Sequence, residues 1–273
     1  MALYKGYKKI EGTAKDINDY IEFTINNHYD GWNVNEYLVI VNKDDGKESE
    51  MRFNGENFVG LKLPPSKYIK GRNSLQRCAL DMLANPEITI CAVLGTYGSG
   101  KTALCCKMAL YNVVEKGYQS KILGVHSGTS EGHQVGYLKG DFASKTEKFF
   151  LPIVQQLDGG EYEYESLQNR EILESNIIFY MKGCTYPDTI ILLDEAEDTT
   201  ERELKLVGTR VGENGRIFLA GDYKQSVVNS SYDNSLVKMC NELKGNKMFG
   251  CIYLEDDVRS ATSKLFASLF QEE

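Results

Sequence analysis

Along the first part of the chain, apolar positions fall in short runs of β-forming residues. Residues 36–42 (Glu-Tyr-Leu-Val-Ile-Val-Asn) are rich in β-branched and aromatic side chains and predict a strand. Asp44-Asp45-Gly46 is a turn signal that predicts a hairpin, with residues 50–53 and 58–63 as further short strands. Residues 16–23 place apolar side chains at helical spacing, and Pro64-Pro65 punctuates the end. Residues 1–65 therefore read as a small β-rich appendage with one short helix.

From Ser74 the period changes. Leu75, Ala79, Leu80 and Leu83 form a helical stripe that stops near Asn85-Pro86. Residues 88–94 are continuously apolar, as in a strand covered on both faces. A glycine-rich loop follows, then a helix over 102–114 that ends near Gly117. Further on, the pattern predicts strands at 121–125, 177–180, 189–193, 217–220 and 251–254. It predicts helices at 142–157, 201–207, 234–243 and 258–270. Alternating strands and helices predict an α/β fold with a mostly parallel sheet and helices on both faces, over residues 66–273.

Composition narrows the class. At 273 residues, 42% of them apolar, the chain suits one large α/β domain with a small appendage. It is long enough to need no disulfide staples. Its seven cysteines include no C-x-x-C and resemble neither a disulfide framework nor a zinc site. The first residues carry no apolar h-region, so no signal peptide is expected. No stretch is apolar for long enough to span a bilayer. A cytoplasmic protein without a membrane partner is expected. A net charge of −8 argues against a general polyanion binder, but leaves room for a local basic channel.

The chemistry begins at Gly95-Thr96-Tyr97-Gly98-Ser99-Gly100-Lys101-Thr102, which fits G-x-x-x-x-G-K-[ST] in full. It lies after an apolar strand and before a helix, as that motif requires. The glycines let backbone N–H groups turn toward phosphates, and the helix directs its positive end at them. Lys101 is expected to reach the β- and γ-phosphates of ATP, and the Thr102 hydroxyl to ligate Mg²⁺. Ile190-Ile-Leu-Leu-Asp-Glu195 places two carboxylates at the end of an apolar strand, where parallel sheets bind ligands. Alone it reads equally well as a solvated strand end; beside the P-loop, Asp194 is a metal ligand and Glu195 the group that orients or deprotonates the attacking water. Residues 217–222 end a third strand in Gly-Asp, with Gln225 three positions on. That resembles a γ-phosphate sensor, with an ordinary β-turn as the alternative.

Residues 72–270 closely resemble the PhoH-like ATPases, relatives of the helicase superfamily with one RecA-like core. Gly132-His-Gln-Val-Gly-Tyr-Leu-Lys-Gly-Asp141 resembles the family's G-x-x-L-G-[FY]-L-P-G-D. Tyr180-Met-Lys-Gly-Cys-Thr185 resembles Y-[MI]-R-G-R-T, and Leu193-Asp-Glu-Ala-Glu-Asp-Thr-Thr200 resembles L-D-E-A-Q-N-T-T. Thr209-Arg210 with Gly212, and Glu255-Asp256 with Val258-Arg259, resemble two later motifs. The resemblance implies an adenine-reading role for Gln76. It implies γ-phosphate contacts for Arg210 and Arg259, with one of them supplied by a neighbouring subunit. The chain departs from the family at His126-Ser127, where relatives often show Arg-Pro. It departs again at Lys139, Lys182 and Cys184, which weakens an inference of nucleic-acid contact. Lys139, Lys145 and Lys148 still cluster, as a contact surface or a solvated face.

Residues 1–65 resemble the connector that joins a PIN nuclease to the ATPase in longer relatives. The chain before Glu36 is too short for such a nuclease, so none is expected. Three functions stay in view. The first is an ATP- and Mg²⁺-dependent, helicase-like ring, with a hexamer favoured, acting on single-stranded RNA or DNA. The second is a nucleotide-gated assembly switch without unwinding. The third, a small-molecule phosphotransferase, has no need of Glu195 beside Asp194.

Overall fold

The computed structural model describes residues 3–96, 98–126, 129–130, 133–134, 151–224, 226 and 234–256. The N-terminal part comprises β1 (Tyr7–Gly12), α1 (Ala14–Asn26), β2 (Tyr37–Asn42), β3 (Glu48–Phe53) and β4 (Phe58–Gly60). They form a sheet of order β1-β2-β3-β4. The last three strands are an antiparallel meander, as the Asp44-Asp45-Gly46 turn predicts. β1 pairs parallel with β2, and α1 makes the crossover. A capping box starts that helix: the Thr13 hydroxyl accepts from the Asp16 N–H, and the Asp16 carboxylate accepts from the Thr13 N–H.

The core follows with α2 (Ser74–Ala84), β5 (Ile90–Gly95), α3 (Lys101–Leu110, continued by a π turn at Tyr111–Glu115) and β6 (Lys121–His126). A two-residue pair comes next, β7 (Thr129–Ser130) with β8 (His133–Gln134). Then come α4 (Leu151–Val154), α5 (Gly160–Asn169), β9 (Leu173–Ile177), β10 (Thr189–Leu193), α6 (Glu201–Gly208), β11 (Arg216–Gly221), α7 (Ser235–Leu243) and β12 (Phe249–Leu254). The sheet order is β12-β5-β11-β10-β6-β9, and every pair is parallel. This is the predicted α/β architecture: a RecA-like P-loop core with a small β-rich appendage.

Alternate residues of the central strands feed opposite layers, as the two-residue period of a strand requires. Cys91, Val93, Ile190, Leu192, Phe218 and Ala220 pack with α2, α3, α4 and α5. Ala92, Leu94, Ile191, Leu193, Ile217 and Leu219 pack with α6 and α7. The appendage is fastened to the first layer: the Tyr37 hydroxyl and Arg52 Nε both donate to Asp81 of α2, at 2.8 and 2.9 Å. Arg216 is buried beneath the α2–β5 connection. Its guanidinium donates to the carbonyls of Leu83, Asn85 and Ile88 and lies 4.8 Å from the centre of the Phe218 ring. Six of the seven cysteines are buried, and Cys184 is exposed. Among the described residues no helix is long and apolar enough to cross a membrane.

The structure departs from the pattern in several elements. The strand predicted at 177–180 is β9, four residues earlier, followed by a 3-10 turn at Ile178–Met181. Glu174, Ser175 and Asn176 interrupt its apolar run, which an edge strand tolerates because it needs less cover. α5 has no full apolar stripe: only Tyr164 and Leu167 are buried. β1 (Tyr-Lys-Lys-Ile-Glu-Gly) is too polar to stand out. Of the helix predicted at 142–157, residues 151–154 are helical. Its first nine residues and the predicted helix at 258–270 lie outside the described residues.

Candidate functional site

β5, β6, β10 and β11 run parallel, so their C-terminal ends share one edge of the sheet. The glycine-rich loop leaves that edge at Gly95, where φ is +150° and a Cβ would come 2.4 Å from the Leu254 carbonyl oxygen. At Gly100 φ is +90°, and a Cβ would meet the Gln76 amide nitrogen at 3.2 Å. Gly95 requires glycine for conformation and for space, and Gly100 for conformation. Gly100 is the N-cap of α3 and offers no side-chain cap. The first-turn N–H groups are thus left for another acceptor, and an anion is the natural one.

Lys101, Asp194 and Glu195 converge here. Lys101 Nζ donates to the carbonyls of Gly95 and Thr96, at 2.9 and 3.0 Å, holding the loop closed on itself. Burial lowers its pKa, and Asp222, Glu197 and Asp194 oppose that shift. The Thr102 hydroxyl donates to Asp194 Oδ1 at 2.8 Å. Asp194 is buried, and desolvation raises its pKa above the ordinary carboxylate value although the Thr102 bond acts the other way. A cation would offset that desolvation. A hydroxyl and one buried carboxylate beside a phosphate loop suit magnesium, which keeps waters and shares its remaining ligands with phosphates. Among the described residues no group of three or more His, Cys, Asp or Glu forms a self-sufficient metal cage.

Glu195 differs from its neighbour. Its side chain is half exposed, and its Oε2 lies 2.7 Å from His126 Nε2. That bond holds its pKa below the ordinary value. The backbone at Glu195 is left-handed (φ 50°, ψ 42°), an uncommon conformation for a residue with a side chain. One carboxylate is shut in against the phosphate loop and the next faces solvent in ionised form.

Gln76 lies against the loop, but its amide is engaged: the Arg72 N–H donates to its Oε1, and its Nε2 donates to the Ser99 carbonyl, both at 2.9 Å. It braces the loop from the N-terminus of α2, and a contact to adenine requires it to exchange one of these bonds. Arg210 is not brought to the site. It follows α6 and precedes β11, at the opposite edge of the sheet, where its Nη1 donates to the Cys184 carbonyl. Tyr97, Gln225 and Arg259 lie outside the described residues, as do Lys139, Lys145 and Lys148.

Two residues gain a place that the motifs did not assign. His126 comes opposite the acidic pair through strand register, Val125 beside Leu193. Glu197 stands where the resemblance has Gln; its carboxylate is buried against Gly221, accepting from the main chain of Asp222. Burial pushes its pKa up to about 7 from an ordinary 4.5. Between those values the folded chain keeps a proton that the unfolded chain has released. Its stabilising effect is complete below pH 4.5 and is lost as pH rises through 7. Glu197→Gln removes this dependence. The variant's gain in melting temperature over the parent is expected to be several degrees larger at pH 8 than at pH 5, on the order of 3 kcal/mol at most. An equal shift at both pH values overturns the assignment.

Sequence comparison decides the family. A family profile described as "PhoH-like protein" matches residues 68–271. The chain belongs to this family. Protein PhoH2 of Bacillus subtilis (strain 168) is 28% identical over 212 residues, covering 74% of this chain and 47% of that protein. A PhoH-like protein of the same organism is 30% identical over 154 residues, 56% of this chain and 48% of that one. Protein PhoH of Escherichia coli (strain K12) is 26% identical over 199 residues, 71% and 55% respectively. The PhoH-like chain spans about half the length of these curated relatives. The PhoH family is P-loop ATPase-like, which supports nucleotide binding in general. The matched region begins after the N-terminal sheet, at Tyr68.

Proposed function

We propose that this PhoH-like chain hydrolyses ATP with magnesium and works as a ring on single-stranded RNA or DNA. The observation that carries the reading is the Thr102–Asp194 bond, which joins the start of the phosphate-loop helix to the end of β10, the next strand but one from β5, at 2.8 Å. In the proposed mechanism, Lys101 exchanges the Gly95 and Thr96 carbonyls for phosphate oxygens. Thr102 and Asp194 would hold the magnesium. When bound, the ion neutralises charge developing on the phosphates. Glu195 orients the attacking water and accepts its proton.

Support for a single-stranded ligand comes from the turn after β9. Phe179 and Tyr180 are exposed there, their ring centres 5.3 Å apart, and Lys182 Nζ lies 4.8 Å from the Phe179 ring centre. Exposed rings beside a cation suit base stacking. The net charge of −8 favours the second reading, a nucleotide-gated assembly switch. ATP turnover measured with magnesium, with and without single-stranded RNA or DNA, separates the two. Stimulation by either strand is the expected result. Turnover indifferent to both supports the switch, and no turnover under any condition overturns the ATPase reading.

A further inference from the structure

His126 ends β6, and the next strand inward is β10, whose end carries Asp194 and Glu195. On its other side β6 pairs with β9, His126 lying beside Ile177. The backbone at His126 is therefore held at the end of a strand paired on both sides, and the residue is only 5% exposed. Glu195 has a side chain 50% exposed and three rotatable bonds. An ionised carboxylate only accepts hydrogen bonds, so at the 2.7 Å contact it is the imidazole Nε2 that donates.

From this geometry we infer that His126 is the positioning residue for Glu195: it fixes Oε2 and leaves Oε1 as the oxygen presented to the attacking water. The inference rests on the proposed role of Glu195 in hydrolysis. Three features carry it. The ring is buried on a paired strand, whereas the carboxylate is half exposed on a longer side chain. The contact engages one oxygen and not both. The backbone at Glu195 takes an uncommon left-handed conformation, and the turn that follows is closed by the Asp198 N–H donating to the Glu195 carbonyl at 3.1 Å. The chain thus accepts local strain where it aims this side chain at the ring. A base held in a near-attack position gains rate through orientation, and a misplacement on the order of 1 Å costs up to about a hundredfold.

The test is a double-mutant cycle on the full chain: His126→Ala, Glu195→Gln and the pair, with His126→Gln as the conservative variant. Turnover, KM for ATP and equilibrium ATP affinity are measured for each. His126→Ala is expected to lower kcat between about tenfold and a hundredfold, with KM and affinity within about twofold. His126→Gln, whose amide keeps an N–H near the same place, is expected to recover most of that loss. In the Glu195→Gln background, His126→Ala is expected to lower the residual rate no further. Full kcat in His126→Ala beside an inactive Glu195→Gln overturns the inference and leaves the ATPase reading standing. An equal loss from His126→Ala in both backgrounds, or a loss of ATP affinity, also overturns it and makes the ring a purely structural element. Normal turnover in Glu195→Gln removes the reading on which the inference depends. Should His126→Ala fail to fold, failure of His126→Gln to hold kcat above a tenth of the parent's, with affinity intact, counts against the inference.

Discussion

Glu195→Gln is expected to keep ATP binding near that of the parent while slowing hydrolysis at least about a hundredfold, the usual scale for loss of a general base. The two effects separate because the groups separate in space. The phosphate loop is held by Lys101 on the Gly95 and Thr96 carbonyls and by Gln76 on Ser99. The pair proposed to hold magnesium is Thr102 with Asp194, joined by their hydrogen bond. Glu195 takes part in neither, its described partner being His126. The substitution keeps the shape of the side chain and removes its basicity, so nothing in the binding apparatus needs to move. Affinity is read by equilibrium titration with a fluorescent nucleotide and hydrolysis by phosphate release. Turnover within a few-fold of the parent sinks the role assigned to Glu195. A parallel collapse of affinity instead makes Glu195 part of the binding site.

The sequence discloses groups whose chemistry is local and hides those placed by pairing of distant strands. The loop from Gly95 to Thr102 is legible because its glycine positions, its lysine and its flanking apolar strand are contiguous. Asp194 and Glu195 are legible for the same reason, at the end of five consecutively buried residues. The alternation of strands and helices gives the parallel sheet, since each crossover buries a recognisable apolar face. His126 becomes visible only through the register of β6 on β10, nearly seventy positions away in the chain. The adenine role that the resemblance implies for Gln76 would take a buried amide whose two ends are already met by main-chain groups of Arg72 and Ser99, partners that no local motif announces. β1 and α5 escaped because they are half-exposed elements with few apolar side chains, which earn their order from neighbours.

Arg210 shows the same limit and leads to the largest expected effect. β11 has six residues, and at about 3.3 Å each it spans roughly 17 Å from edge to edge. Arg210 precedes the strand and the phosphate loop lies at its far end, so the side chain cannot reach the γ-phosphate of its own subunit. On the proposed ring reading, the side of that phosphate away from the loop is met by a neighbouring subunit. An arginine supplied from a neighbour contributes about 10³–10⁵ in rate to phosphoryl transfer. Head-to-tail contacts that bring Arg210 to the next subunit's loop must close by rotation or grow as a filament, and a ring, with a hexamer favoured, is the closed form. Light scattering with ATP should then find a species several subunits large. Glu195→Gln chains and Arg210→Ala chains should each be inactive alone. Mixed in equal amounts, they should regain turnover at interfaces where an Arg210→Ala subunit supplies Glu195 and a Glu195→Gln subunit supplies the arginine, at most about a quarter of all interfaces. Arg259, outside the described residues, is carried through the same mixing as Arg259→Ala. Recovery with one arginine variant and not the other identifies which acts across the interface. A protein that stays monomeric with ATP and is fully active overturns the shared site altogether.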